Sequence, residues 1–225
     1  MQPRTLKFKV VLYLSIALSV AMLLFTGLAA WFMYTEILGK VSDHVTQLSE
    51  VITKSTRFAM LQNQPAYVDR IIHDVANQEK IDRIRILSRD GKIIHSTYAA
   101  EIGTWVDRNA EACSHCHQSE KPLEQMPKGK RTWTFKGANG QSLLGSMEVI
   151  RNEPSCYNAA CHQHAKETAV LGVLDIIYSL EEFDRKLRTS TLGIAGVSLA
   201  FIVIASLSVG FFVHRLVYLP LRDLE

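Results

Sequence analysis

The 225-residue sequence lacks most of the patterns that assign a chain to a common enzyme class. It has no glycine-rich phosphate loop, no nucleophile triad and no patch of basic residues, and a net charge of +3 supplies no field for nucleic acid. It has only four cysteines, and none lies outside two short stretches, "CSHCH" at 113 to 117 and "CYNAACH" at 156 to 162. Those two stretches are therefore the chain's one concentration of unusual chemistry.

Charge is missing altogether from two long runs. Residues 10 to 34, "VVLYLSIALSVAMLLFTGLAAWFMY", and residues 191 to 213, "TLGIAGVSLAFIVIASLSVGFFV", are each long enough to cross a bilayer as a helix. A cleaved signal peptide competes for the first run, because basic residues precede it and "GLAA" offers a small-residue cleavage site. The run continues through Trp31, Phe32 and Met33, which favours a span. The second run has no polar face, so a buried helix of a soluble protein does not account for it.

The chain thus divides into an N-terminal tail (1–9), a first span (10–34), a middle segment (35–190), a second span (191–213) and a C-terminal tail (214–225). The middle segment is formally neutral. The net charge comes from Arg4, Lys7, Lys9, Arg215 and Arg222 against Asp223 and Glu225. Basic residues flanking both spans on one side place both termini in the cytoplasm and the middle segment outside. Arg185, Lys186 and Arg188 oppose that bias, so the cysteines must decide the orientation.

Three readings compete for the cysteines. Two disulfides suit an oxidising compartment, yet a disulfide asks nothing of the next residue, and here His117 follows Cys116 and His162 follows Cys161. Structural zinc is the second reading, but each cluster lacks ligands to complete a tetrahedron, which leaves one shared site. The third is covalent haem c, whose attachment signal is C-x-x-C-H. Two thiols form thioethers along one porphyrin edge, and the adjoining histidine turns beneath the ring to bind iron. Cys113, Cys116 and His117 match the signal, while Cys156, Cys161 and His162 form a variant with four residues between the thiols. Haem c is attached on the outer side of the bacterial membrane, in agreement with the orientation drawn from the flanking charges.

Periodicity organises the middle segment as α+β. Ile37, Val41, His44, Leu48, Val51, Ser55 and Phe58 recur at alternating spacings of four and three, which predicts a helix over 35–62 with a stripe for a partner helix or the domain's own final helix. "PAYVDRIIHDVANQ" predicts a second helix starting at Pro65. "IDRIRILSRDGKIIHSTY" reads as a hairpin about "RDGK", and "RTWTF" with "SLLGSMEVI" as a second about "KGANGQ". A last strand over 169–179 leads into a charged helix and the second span. The expected product is an antiparallel sheet with both Cys-His units in its connections.

Taken together, "IRILSRDGKIIHS", "EIGTWVDRNAEACSHCHQSEKPLE", "RNEPSCYNAACHQH" and "KETAVLGVLDIIYSLEEFDRKLR", in that order between two spans, resemble a known class. It is the haem c-binding PAS/Cache-like sensor region of bacterial transmembrane sensor histidine kinases and chemotaxis receptors. "HRLVYLPLRDLE", with Pro220, Leu221 and Leu224, is similar to the opening of the HAMP linker that follows the second span in such proteins. The resemblance implies a periplasmic dihaem sensor in the inner membrane, a homodimer, and a cytoplasmic kinase or receptor output module. The chain stops at the linker, so it is expected to be truncated or to signal through a partner, and no kinase activity is assigned to it.

Cys113, Cys116, Cys156 and Cys161 are the expected thioether anchors, with His117 and His162 as proximal iron ligands. Distal candidates are His164, too near His162 to reach round its own haem, and His95 in a strand of the sheet. His44 is expected to be a packed core residue, His73 to be solvated and His115 to be exposed. Met60, Met126 and Met147 are thioether candidates, and an open sixth site would admit NO, CO or O2. The expected function is conversion of a redox or gas signal into movement of the second span. Its rival is a membrane-anchored dihaem electron-transfer cytochrome. A haem peroxidase is disfavoured by the lack of a distal acid-base pair.

Overall fold

The computed structural model describes residues 3–78, 81–107, 127–158 and 164–218, which fall into two compact units. One comprises Met1–Leu38 with Phe183–Glu225, the other Gly39–Glu182. Cys113, Cys116, His115, His117, Met126, Cys161, His162 and Pro220 lie outside the described residues.

The first unit holds the early part of helix α1 (Pro3–Leu61) and most of helix α4 (Glu181–Phe212). Ser15 donates to the Ser206 hydroxyl at 3.1 Å, the Thr26 and Ser198 hydroxyls are 3.0 Å apart, and the Tyr34 and Phe183 rings lie 5.7 Å apart. These pairs run in opposite order along the two helices, which therefore pack antiparallel. Both helices are long and apolar enough to cross a membrane, and Leu23, Leu24, Leu28, Phe211 and Phe212 are exposed on them. Small hydroxyl residues at the seam with large apolar ones outside are what lipid-embedded helices use.

In the second unit, strands β1 (Ile81–Ser88), β2 (Ile93–Ser96), β3 (Thr132–Lys136), β4 (Ser142–Arg151) and β5 (Val170–Ser179) form an antiparallel sheet in the order β2-β1-β5-β4-β3. The architecture is the α+β, PAS/Cache-like one expected, a sheet with long flanking helices. Gly91, at φ +88°, supplies the left-handed residue that the β1–β2 turn needs, and its N–H donates to Ser88 O at 2.9 Å.

Cross-strand partners identify the two faces of this sheet. Ile84, Ile176 and Ser146 are aligned across β1, β5 and β4, and Ser49 of α1 meets Ser146 at 3.1 Å, so α1 covers this face. Helix α2 (Pro65–Gln78) packs here too, burying Val68 and Ile72. Ile84, Leu144, Leu174 and Ile176 are sealed to 1% exposure or less, which makes this the main core. On the opposite face Met147, one of the thioether candidates, is buried and packs with Trp133 and Val173.

Helix α1 docks on the sheet through a face other than the apolar stripe. The buried residues are Val45, Thr46, Ser49, Ile52, Thr53, Thr56 and Ala59, whereas Val51 and Phe58 of the stripe are about 60% exposed. The reason is steric. Small side chains let the helix approach the strands closely, and Thr46, Ser49 and Thr56 return their hydroxyls to carbonyls one turn back at 2.8–2.9 Å, which removes the penalty of burying them. His44 shares the exposed side and is not a core residue, while His73 is exposed as expected.

Candidate functional site

A cavity of about 300 Å³ opens inside the second unit, where the turn between α1 and α2 meets one end of the sheet. Helix α1 contributes Arg57, Met60 and Leu61, and the turn adds Asn63 and Gln64. Asn63 holds φ +53°, a left-handed value that asparagine tolerates better than most residues, and it allows the sharp reversal into Pro65. Val68 of α2, Ile86 and Leu87 of β1, and Ile150 of β4 supply apolar walls.

Two β-bulges shape the sheet side of the cavity. Along β1 the partner of Ile86 is His95 and that of Leu87 is Ile93, so Ile94 is an extra residue in β2. Along β4 the partner of Ile150 is Gly172 and that of Arg151 is Val170, so Leu171 is an extra residue in β5. Both extra residues line the cavity. A bulge re-aims side chains and interrupts pairing, and two at one end of the sheet create the concavity.

The β4–β5 connection closes the remaining side. It begins with the short helix α3 (Pro154–Tyr157), in which Cys156 is buried and carries a free thiol. Cys156, which opens the Cys-His unit, and His164, two residues past its end, both line the cavity. Glu153, just before α3, pairs with Arg57 of α1 and so ties the connection to the helix. Arg57 Nε is buried without a hydrogen-bond partner.

His95 completes the site. It is 9% exposed, and its Nδ1 lies 2.7 Å from Asp69 Oδ1 on α2. A carboxylate only accepts, so Nδ1 is the donor in this contact, and the neutral tautomer that makes it carries its lone pair on Nε2.

The structure therefore brings Cys156, His164, His95 and Met60 to one cavity out of the residues singled out by sequence. Among the described residues, no group of three or more His, Cys, Asp or Glu is placed to hold a bare metal ion. Asp69, Arg57 and the two bulges were not legible as site features. A bulge leaves no mark in residue order, and a helical aspartate reads as solvated until the helix is docked on a strand.

No protein-family model matches the chain, and no curated protein matches it in sequence. Among solved structures it is similar to the sensor domain of the V. cholerae histidine kinase DctB, at 12% identity and a TM-score of 0.44 over 71% of this chain. It is also similar to the extracellular domain of vpHK1S-Z8, assigned as a histidine kinase, at 13% identity and a TM-score of 0.47 over 72% of this chain. The likenesses span 57% and 59% of those chains. With TM-scores below one half, the fold assignment rests on this chain's own strand order and register.

Proposed function

We propose that the chain is the periplasmic sensor region of a bacterial inner-membrane signalling protein of the histidine-kinase or chemotaxis-receptor type, carrying two haem c groups. Cys113, Cys116 and His117 would hold one, and Cys156, Cys161 and His162 the other. The observation that carries the reading is Cys156, a free thiol buried in the wall of an apolar cavity that also receives His95, His164 and Met60.

These residues fit the group in kind. A porphyrin asks for apolar walls, a thiol at its edge, nitrogen or sulfur donors for iron and a cation for its carboxylates. Val68, Ile86 and Ile150 give the walls, and the orphaned Arg57 Nε gives a donor for a carboxylate. When bound, haem supplies a one-electron couple and, wherever its sixth position is open, a site for NO, CO or O2.

What the chain's own residues add is a mechanical route. The connection that bears Cys156 leads into β5, whose Leu171 and Gly172 line the cavity. Leu180 alone separates the end of β5 from α4, and it is anchored by its N–H to Ser142 O at 3.0 Å. A displacement of the connection is thus applied to the strand that feeds the second apolar helix. Such a two-state device needs about 5.5 kcal/mol of differential stabilisation to swing from nearly off to nearly on. Both termini would lie in the cytoplasm, the signalling unit would be a homodimer, and the output module would be a cytoplasmic kinase or receptor domain.

The test is expression in cells competent for cytochrome c maturation, with a pyridine haemochrome assay. Two covalent haems per chain are expected. A colourless chain, with cystines or zinc in their place, overturns the proposal. Fast electron exchange with a soluble cytochrome, unaffected by deletion beyond Pro220, would instead favour the electron-transfer reading.

A further inference from the structure

We infer that His95 is the distal ligand of the haem attached at 156–162, binding through Nε2, and that Asp69 is its positioning residue. The inference rests on the reading that this unit carries haem. It adds which side chain completes the iron and what that does to the signal.

Three observations converge on His95. It lines the same cavity as Cys156, so the thiol anchor and the imidazole address one volume. Its Nδ1 is held at 2.7 Å by Asp69 Oδ1, an arrangement that metal-bound histidines use to fix tautomer and ring orientation and to raise ligand basicity. Among the described residues Nε2 has no hydrogen-bond partner, although the side chain is only 11% exposed.

The competitors are less well placed. His164 follows the proximal His162 by two residues, and two residues span at most about 7 Å, too short a tether to pass round a porphyrin to its other face. Met60 also lines the cavity, but among the described residues no hydrogen bond orients its thioether. His95 is carried on a strand beside the bulge at Ile94 and is locked by Asp69, so less ordering remains to be done on binding.

The consequence is a closed sixth position at this haem. The basic imidazole favours ferric iron, so this centre responds to redox potential, and a gas ligand must first displace His95.

The test uses the full chain in detergent, compared by pyridine haemochrome count, near-infrared magnetic circular dichroism and carbon monoxide titration. His95→Ala is expected to keep two haems, lose one imidazole–imidazole band, bind one more equivalent of carbon monoxide per chain, and regain the low-spin spectrum when imidazole is added. If that variant does not accumulate, His95→Met carries the test, and its band should move to the imidazole–methionine position. Asp69→Asn should keep both haems and the low-spin state but shift the ferric electron paramagnetic resonance g values. Two haems with an unchanged band and unchanged carbon monoxide stoichiometry in the His95 variants overturn this inference alone, as does an imidazole–methionine band that vanishes in Met60→Leu. A chain without haem overturns the functional proposal and this inference with it.

Discussion

Arg85 of β1 and Asp175 of β5 stand opposite one another in the sheet register, and the guanidinium donates from Nε to Asp175 Oδ2 at 2.8 Å and from Nη2 to the same oxygen. Asp175 is 1% exposed. Glu101 extends the cluster, accepting from Arg83 at 3.3 Å and from Ser96. The pair sits in the strand–strand contact through which any displacement of β5 must be resisted.

Removing Asp175 leaves the Arg85 guanidinium buried with only its longer 3.9 Å pairing to Glu101. Asp175→Ala is expected to destabilise the sheet domain by about 3–5 kcal/mol, whereas Arg85→Met combined with Asp175→Leu should be neutral or stabilising by about 1–4 kcal/mol. Urea unfolding of the detergent-solubilised chain, followed by tryptophan fluorescence, measures both. Equal losses in the single and double variants would show that the pair's worth is not electrostatic.

Gly172 allows the close approach of β5 and β1 beside the cavity. A Cβ there would stand 2.4 Å from Leu87 O, and this obstacle is backbone that cannot rotate away. Gly172→Ala should therefore cost about 1–3 kcal/mol as overpacking. The displaced strand also borders the site, so the same variant should attach less haem at the second unit, read as a lower haem-to-protein ratio. Full stability and full haem content would mean that the strands part without cost.

The hairpins, the last strand and the α+β class were legible because period-two alternation, glycine turns and a prolyl helix start are local signals. Cys156 and the two histidines near it were legible as chemistry. What could not be read is how they meet. The cavity arises from bulges at Ile94 and Leu171, and the partner of His95 comes from a helix earlier in the chain. The docking face of α1 was missed for a different reason. Ser49, Thr53 and Thr56 count as polar by composition, yet they are buried at 7% exposure or less.

Haem attachment should be separable by unit. Cys156→Ala together with Cys161→Ala is expected to lower the covalent haem count from two to one, and Cys113→Ala with Cys116→Ala to do the same at the other loop. Intact-protein mass spectrometry reads each loss directly. In a fusion to a kinase output module, a redox response that survives the Cys156 and Cys161 replacement would remove the second haem from the signalling route.

Val51 and Phe58 belong to a stripe that the domain does not bury, at 59% and 61% exposure. Their alternation of four and three along Ile37 to Phe58 is the spacing by which one helix seats against a second copy. Each large side chain withdrawn from water gains about 25 cal/mol per Å² of apolar area, so a paired stripe would stabilise a dimer. Val51→Glu with Phe58→Glu should place like charges along that seam while leaving the protomer's own stability within about 0.5 kcal/mol, since neither residue supports the sheet. Cross-linking in native membranes should then trap a dimer for the unaltered chain and a monomer for the variant. A dimer that persists in the variant would move the interface to another surface, and a monomeric unaltered chain would remove the dimer from the proposed mechanism.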